Sequence, residues 1–155
     1  MKTDIRVGIV GAGANTTARH IPLLQAIPGV EVVGVVNRSE ASSSDVAKRF
    51  GIPKTYAHWE QAVADRDTDA IVIGTWPYLH CPVTLAALEA GKHVLTEARM
   101  AMNADEALRM LQASNARPEQ VAQVVPSPIT LFADATIKRL LAEEYIGRLL
   151  AVESR

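Results

Sequence analysis

The chain has 155 residues, 48% of them hydrophobic, a formal net charge of -1 and a single cysteine, Cys81. That length suits one domain able to bury roughly 70% of the surface its unfolded chain exposes. The near-neutral charge excludes the basic footprint of a binder of nucleic acid or anionic membrane, no apolar run approaches the roughly 18 residues of a membrane span, and one cysteine excludes an internal disulfide framework or a multi-cysteine metal site.

Met1-Lys2-Thr3-Asp4 leads straight into a strand-like run without the charged, apolar and cleavage regions of a signal peptide, so a cytoplasmic protein is expected. Strands are predicted at Ile5 to Val10, Glu31 to Val36, Ala70 to Ile73, His93 to Thr96 and Val121 to Val125. Each is rich in Val and Ile and near-continuously apolar, as strands buried on both faces of a parallel sheet are. Helical patterns alternate with them at Asn15 to Ile27, Ser39 to Phe50, Trp59 to Ala64, Leu79 to Ala90, Ala104 to Ala116 and Phe132 to Glu144. This order predicts an α/β fold: a doubly wound, mostly parallel Rossmann sheet with helices on both faces. Gly91 marks a helix end, Asn103 an N-cap, and Pro126 and Pro128 a break after the last strand. Ser42-Ser43-Ser44 reads as a solvated face of a first helical turn.

Two places along this pattern carry chemistry. The first strand runs into Gly11-Ala12-Gly13-Ala14-Asn15-Thr16, a G-x-G-x-x-T loop opening a helix. Gly11 permits a tight turn, and Gly13 lets a pyrophosphate approach the backbone, where a helix start offers unpaired N–H groups and the positive end of its dipole. Thr16 replaces a third glycine whose role is helix–strand packing, and the hydroxyl of Thr16 or Thr17 is a further phosphate donor. As bare turn residues Gly11 and Gly13 would mean nothing, but their place in the first βα unit argues for a dinucleotide.

The second place is the end of strand two, Asn37-Arg38-Ser39. NAD-binding domains carry an acidic residue there for the ribose hydroxyls. Asn37 does not repel a 2′-phosphate and Arg38 can pair with one, so NADP is favoured, with NAD as the alternative. The competing explanation has Asn37 and Ser39 capping the next helix and Arg38 solvated. The lack of an acidic residue here also counts against a methyltransferase. His80 and Cys81 lack the neighbours that would make a metal site or an activated nucleophile.

Asp69-Ala70-Ile71-Val72-Ile73-Gly74-Thr75-Trp76-Pro77-Tyr78-Leu79-His80 and Ala87-Leu88-Glu89-Ala90-Gly91-Lys92-His93-Val94-Leu95-Thr96-Glu97 resemble the D-x-V-x-I-x-T-P-x-x-x-H and A-L-x-A-G-K-H-V-x-x-E-K-P stretches of the glucose–fructose oxidoreductase/inositol dehydrogenase (Gfo/Idh/MocA) family. The resemblance covers nearly the whole chain. It implies an N-terminal NAD(P)-binding Rossmann domain and hydride transfer at a sugar, polyol or related carbonyl or alcohol. By the same resemblance Gly11, Ala12, Gly13, Ala14, Asn15 and Thr16 face the pyrophosphate, and Asn37, Arg38 and Ser39 the adenosine ribose. Thr75, Trp76 and His80 then lie near the cofactor, and Glu97 approaches the nicotinamide ribose. His80 reads equally as a packing or capping residue, and Trp76 and Tyr78 as a plain wall of the crevice.

The family triplet Glu-Lys-Pro is here Glu97-Ala98-Arg99. Ala98 cannot position substrate or move a proton, and Arg99, permanently charged, is a poor proton shuttle although suited to an anionic or hydroxylated substrate. Catalytic residues therefore stay unassigned, with Glu97, Arg99 and His80 the nearest candidates, and no metal is expected. Residues 1–148 are expected to form the Rossmann domain and 149–155 the start of a second, α+β substrate domain missing from this chain. Without that cover, an exposed surface at Thr96 to Met100 and Pro126 to Leu131 is expected to favour a homo-oligomer. The alternative to an oxidoreductase is a non-catalytic NADP-binding sensor or partner-binding module.

Overall fold

The computed structural model describes residues 4–126 and 133–151; the expectations for the surface beyond Pro126, a helix start at Phe132 and a second domain beginning over 149–155 lie wholly or mainly outside them. Two compact units meet in sequence at Val125 and Pro126. The first holds β1 (Ile5–Val10), a π turn (Thr16–His20) running into α1 (Ile21–Gln25), β2 (Val30–Val36), α2 (Glu40–Phe50), β3 (Lys54–Thr55), α3 (Trp59–Ala64), β4 (Ala70–Ile73), a 3-10 turn (Pro77–Leu79), α4 (His80–Glu89), β5 (His93–Thr96), α5 (Ala104–Asn115) and β6 (Ala122–Val124). The described part of the second unit contains α6 (Asp134–Ala142), with i,i+4 ion pairs Lys138–Asp134 and Arg139–Glu143, each 2.9 Å.

The six strands lie in the order β3-β2-β1-β4-β5-β6, and every pairing is parallel. Successive side chains of a strand point to opposite faces, so the apolar runs feed two cores. Val10, Ile71, Ile73 and Val94 pack with Val63 of α3 and with Val83, Ala87 and Leu88 of α4. Val7, Ile9, Val32, Val35 and Val72 pack with Ile21 of α1 and Ala47 of α2 on the other face.

Three local expectations are corrected. The helix expected over Asn15 to Ile27 instead opens with the π turn, in which Ile21 N bonds Thr16 O, and its α-helical part ends at Gln25. Pro22 supplies the reason: it has no N–H to give back to the preceding turn, and its ring crowds the carbonyl of Ala18. The two-residue β3 was not anticipated, being too short for any periodicity to show. Ser43 is not on a solvated face: it is fully buried, its hydroxyl receiving Asn37 N (2.8 Å) and donating to Ser39 O (3.1 Å).

The amino-terminal rim of the sheet is held by charge. Arg6 Nε meets Asp69 Oδ2 at 3.0 Å and Arg6 Nη1 meets Asp67 at 2.9 Å, while Lys54 Nζ reaches Asp65 (3.0 Å) and Asp67 (2.8 Å). Tyr56 donates its hydroxyl to Asp65 Oδ2 at 2.7 Å, and its ring fills the space a side chain on Gly34 would need. Burial, then this bond, pushes the Tyr56 hydroxyl up to about 12. The same bond from Tyr56, the Asp67 amide and Lys54 together bring the Asp65 carboxyl down to about 2 against the opposing effect of burial. A carboxyl lowered in the folded state stabilises above its unfolded value near 4, and that contribution is lost as pH falls through about 2. Chemical denaturation from pH 5 to pH 2 should therefore show a fall in stability that Asp65→Asn makes smaller.

Candidate functional site

The carboxyl ends of β1, β2, β4 and β5 open on one cleft of about 1130 Å³. The cleft lies where the strand order reverses, with β1 between β2 and β4. At such a switch point the loops leave toward opposite faces and open α/β sheets receive their ligands.

The glycine loop forms the floor. Gly11 leaves β1 at φ +87°, and a Cβ there would stand 2.6 Å from Thr75 Cγ2 and 2.8 Å from Thr75 N. Only glycine fits both demands. Gly13 is different in kind: its backbone is ordinary, and a Cβ on it would meet nothing within 4 Å. The vacant volume over Gly13 therefore belongs to the cleft. Thr17 N bonds Gly13 O at 2.9 Å as the following helix begins. The amides of Gly13 to Thr16 precede that bond and are the unpaired donors of a helix start.

Asn37 steadies this floor. Its Oδ1 accepts Ala12 N at 2.6 Å and its Nδ2 donates to Ser42 Oγ at 3.0 Å. The side chain expected to be free for a ribose is thus engaged at both ends by the protein. Ser39, likewise, accepts Ser42 N at 3.3 Å as the N-cap of α2. Arg38 between them is exposed and makes no ion pair among the described residues.

Thr16 is buried, correcting its assignment as a phosphate donor. It packs against Gly74 at the end of β4, where a Cβ would run into the Thr16 side chain and stand 2.5 Å from Gly11 O. The small residue missing from the helix is supplied by the strand opposite. The Thr17 hydroxyl is turned back onto Gly13 O (3.0 Å) and Ala14 O (3.1 Å).

Glu97 follows β5, its amide donating to Ile73 O at 3.0 Å. Its Oε1 accepts from Asn15 Nδ2 and faces His20 Nε2 at 2.5 Å. Burial pushes the Glu97 carboxyl up, but the bonds from His20, Asn15 and the Ala98 amide outweigh it, so the carboxyl lies below the usual range. Glu97 is an ionised acceptor at neutral pH, with no proton to donate.

His80 is a second correction. It is 1% exposed and does not line the cleft; Nδ1 lies 2.6 Å from Arg99 O and Nε2 2.9 Å from Thr75 O. From the first turn of α4 the ring joins the two loops that follow β4 and β5. Cys81 beside it is buried, which raises its thiol above the ordinary value and leaves a packing role.

The structure thus brings together Gly11, Ala12, Gly13, Ala14, Asn15 and Thr16 with Asn37, Arg38 and Ser39 on one side and Thr75, Trp76, Glu97 and Arg99 on the other. Two contributions escaped sequence reasoning. Ala57, His58 and Trp59 line the cleft beyond β3, a strand too short to announce itself. His20 reaches Glu97 from the π turn, and the only sequence sign of that turn was Pro22 two residues later.

A family model described as "Oxidoreductase family, NAD-binding Rossmann fold" matches residues 5–124. The chain is 32% identical over 150 residues to an inositol 2-dehydrogenase/D-chiro-inositol 3-dehydrogenase of Shouchella clausii, covering 96% of this chain and 43% of that protein. A 3-ketoreductase from Actinomadura kijaniata, solved with TDP-benzene and NADP, superposes with TM-score 0.77 at 25% identity over 90% of this chain and 44% of its own. The scyllo-inositol dehydrogenase of Lactobacillus casei shares the fold, with TM-score 0.80 at 20% identity over 95% of this chain and 44% of its own. The chain spans less than half the length of these relatives.

Proposed function

The chain belongs to the Gfo/Idh/MocA family of oxidoreductases with an NAD-binding Rossmann fold, and from that membership we propose that it holds NADP along the cleft for hydride transfer to or from a sugar, polyol or related carbonyl or alcohol. The observation that carries this reading is the open volume over Gly13, beside the unpaired amides of a helix start at the switch point of the sheet. A diphosphate fits that donor set, because it brings negative charge and several acceptor oxygens and needs a backbone without a side chain in the way. The adenosine half then lies toward Arg38 and His58, and the nicotinamide half toward Thr75, Trp76 and Glu97. When bound, the nicotinamide ring gives or receives the hydride.

The residues of this chain supply position and charge. Asn37 holds Ala12 and keeps the floor in shape, and being neutral it leaves Arg38 free to draw a 2′-phosphate. Glu97, fixed by Asn15 and His20, offers an ionised acceptor to ribose hydroxyls. Proton transfer to substrate has no assigned group here, since Ala98 carries no titratable atom. Ala98 also favours a second reading, a module that binds NADP without turnover of its own; its sign is tight cofactor binding with no steady NADPH oxidation.

Titration with NADPH, NADH and S-adenosylmethionine tests the proposal. NADPH should bind tightest, and Arg38→Ala should erase its lead over NADH, a change of about 10- to 100-fold for the loss of one or two charge-assisted bonds. Equal affinity for the two dinucleotides in the unaltered chain would defeat the NADP assignment, and binding of S-adenosylmethionine alone would defeat the family function.

A further inference from the structure

The end of the cleft that the cofactor reading gives to nicotinamide presents more aromatic surface and charge than Thr75 and Glu97 supply. Trp76 and Tyr78 are 75% and 59% exposed, on the loop that follows β4. Large aromatic surfaces left open to water inside a cleft await a flat apolar partner. Arg99 lines the same end, is exposed, and has no ion pair among the described residues.

Charge bookkeeping around the cleft isolates Arg99. Glu97 is already matched by His20 and Asn15. His58 caps α3 through its backbone, its amide donating to Gln61 Oε1 at 3.3 Å and its carbonyl accepting Gln61 N at 3.2 Å. If the cofactor reading holds, Arg38 faces the adenosine end and the Gly13 amides face the diphosphate. Arg99 is then a cation near the reacting end with no anion assigned to it. Its backbone is also held in place: the buried His80 ring lies between Arg99 O (2.6 Å from Nδ1) and Thr75 O (2.9 Å from Nε2), which keeps the base of the Arg99 side chain beside the loop carrying Trp76. Ala98 next to it adds almost no bulk.

We propose that Trp76, Tyr78 and Arg99 form the substrate-recognition end of the cleft, built for a small ring that carries a carboxylate. The ring face lies against the aromatic side chains, and the guanidinium takes both carboxylate oxygens in its planar fork. The proposal rests on the cofactor reading for its orientation, since that reading makes this the reacting end. Sugar acids and aromatic acids share this chemistry, and separate probes tell them apart.

The chain contains two tryptophans, so Trp59→Phe leaves Trp76 as its single tryptophan, read by excitation to the red of tyrosine absorption. With that protein, D-glucuronate and benzoate are titrated against D-glucose and benzyl alcohol, with and without NADPH, and NADPH binding is followed separately by its own fluorescence. Saturable quenching of Trp76 is expected from one acid or both, with the matching neutral compound at least 10-fold weaker. Arg99→Gln should abolish that preference, Arg99→Lys should restore part of it, and NADPH affinity should change less than 2-fold in either. Both replacements are at an exposed side chain whose carbonyl, not its guanidinium, meets His80. The proposal is overturned by acids that bind no better than their neutral partners, by the absence of any saturable response, or by an Arg99→Gln variant that loses NADPH as severely as the acid. NADPH that fails to bind while the acid still quenches would sink the cofactor reading and leave the carboxylate receptor standing.

Discussion

Replacing Gly13 with alanine should weaken dinucleotide binding severely while leaving the protein folded. The added methyl group meets no protein atom within 4 Å, so the free protein has nothing to repack. Gly13 also stands outside the left-handed region, and an alanine in such a position commonly steadies a chain by reducing the freedom of its unfolded state. The melting temperature should therefore stay level or rise slightly. A diphosphate brought to the amides of Gly13 to Thr16, in contrast, would meet the methyl where its oxygens belong. Loss of two charge-assisted hydrogen bonds, each about 1.5–3 kcal/mol, weakens binding on the order of 100-fold or more. Calorimetric titration with NADPH beside a thermal melt separates the two effects. An alanine variant that binds as before would mean that the diphosphate lies elsewhere, and a variant that unfolds would mean that the space over Gly13 is not open.

Gly74→Ala should have the opposite character and a large cost to stability. Its Cβ would run into the Thr16 side chain and stand 2.5 Å from Gly11 O. A side chain can turn aside, but the carbonyl belongs to the tight turn that leaves β1. Overpacking of this kind costs about 1–3 kcal/mol, and more where backbone must move. Because the displaced group is the floor of the cleft, cofactor affinity should fall with stability. Adding Thr16→Ala to Gly74→Ala should recover part of the loss, since it removes one of the two obstructions and leaves the carbonyl. A double-mutant cycle in urea measures this coupling, and strict additivity would show that Thr16 and Gly74 do not press on one another.

The strands were legible because a sheet covered on both faces leaves almost unbroken Val and Ile, as at Ile5–Val10 and Ala70–Ile73, where the observed bounds agree with those read from sequence. The glycine loop was legible for a related reason: Gly11 is compelled by its backbone and Gly13 by what has to lie over it. Side-chain roles were harder to read. Asn37, Ser39 and Ser43 form one local network, and a sequence lists their donors and acceptors without saying which ones find each other. Of the two readings of His80 the structure favours the packing one, and sequence could not choose because the two backbone carbonyls that enclose the ring lie 19 and 5 residues away. Long-range partners of this sort leave no periodic trace.

The rims of the sheet answer to different solvents. Along the end away from the cleft, cohesion comes from Arg6, Lys54 and three aspartates, partly open to water. Along the cleft much of it comes from Gly11 and Gly74 pressed against neighbouring backbone, a contact that dissolved ions do not screen. Added salt, which cuts the reach of charge to about 10 Å at 0.1 M, therefore loosens the far margin while the backbone packing of the ligand-facing margin keeps its shape.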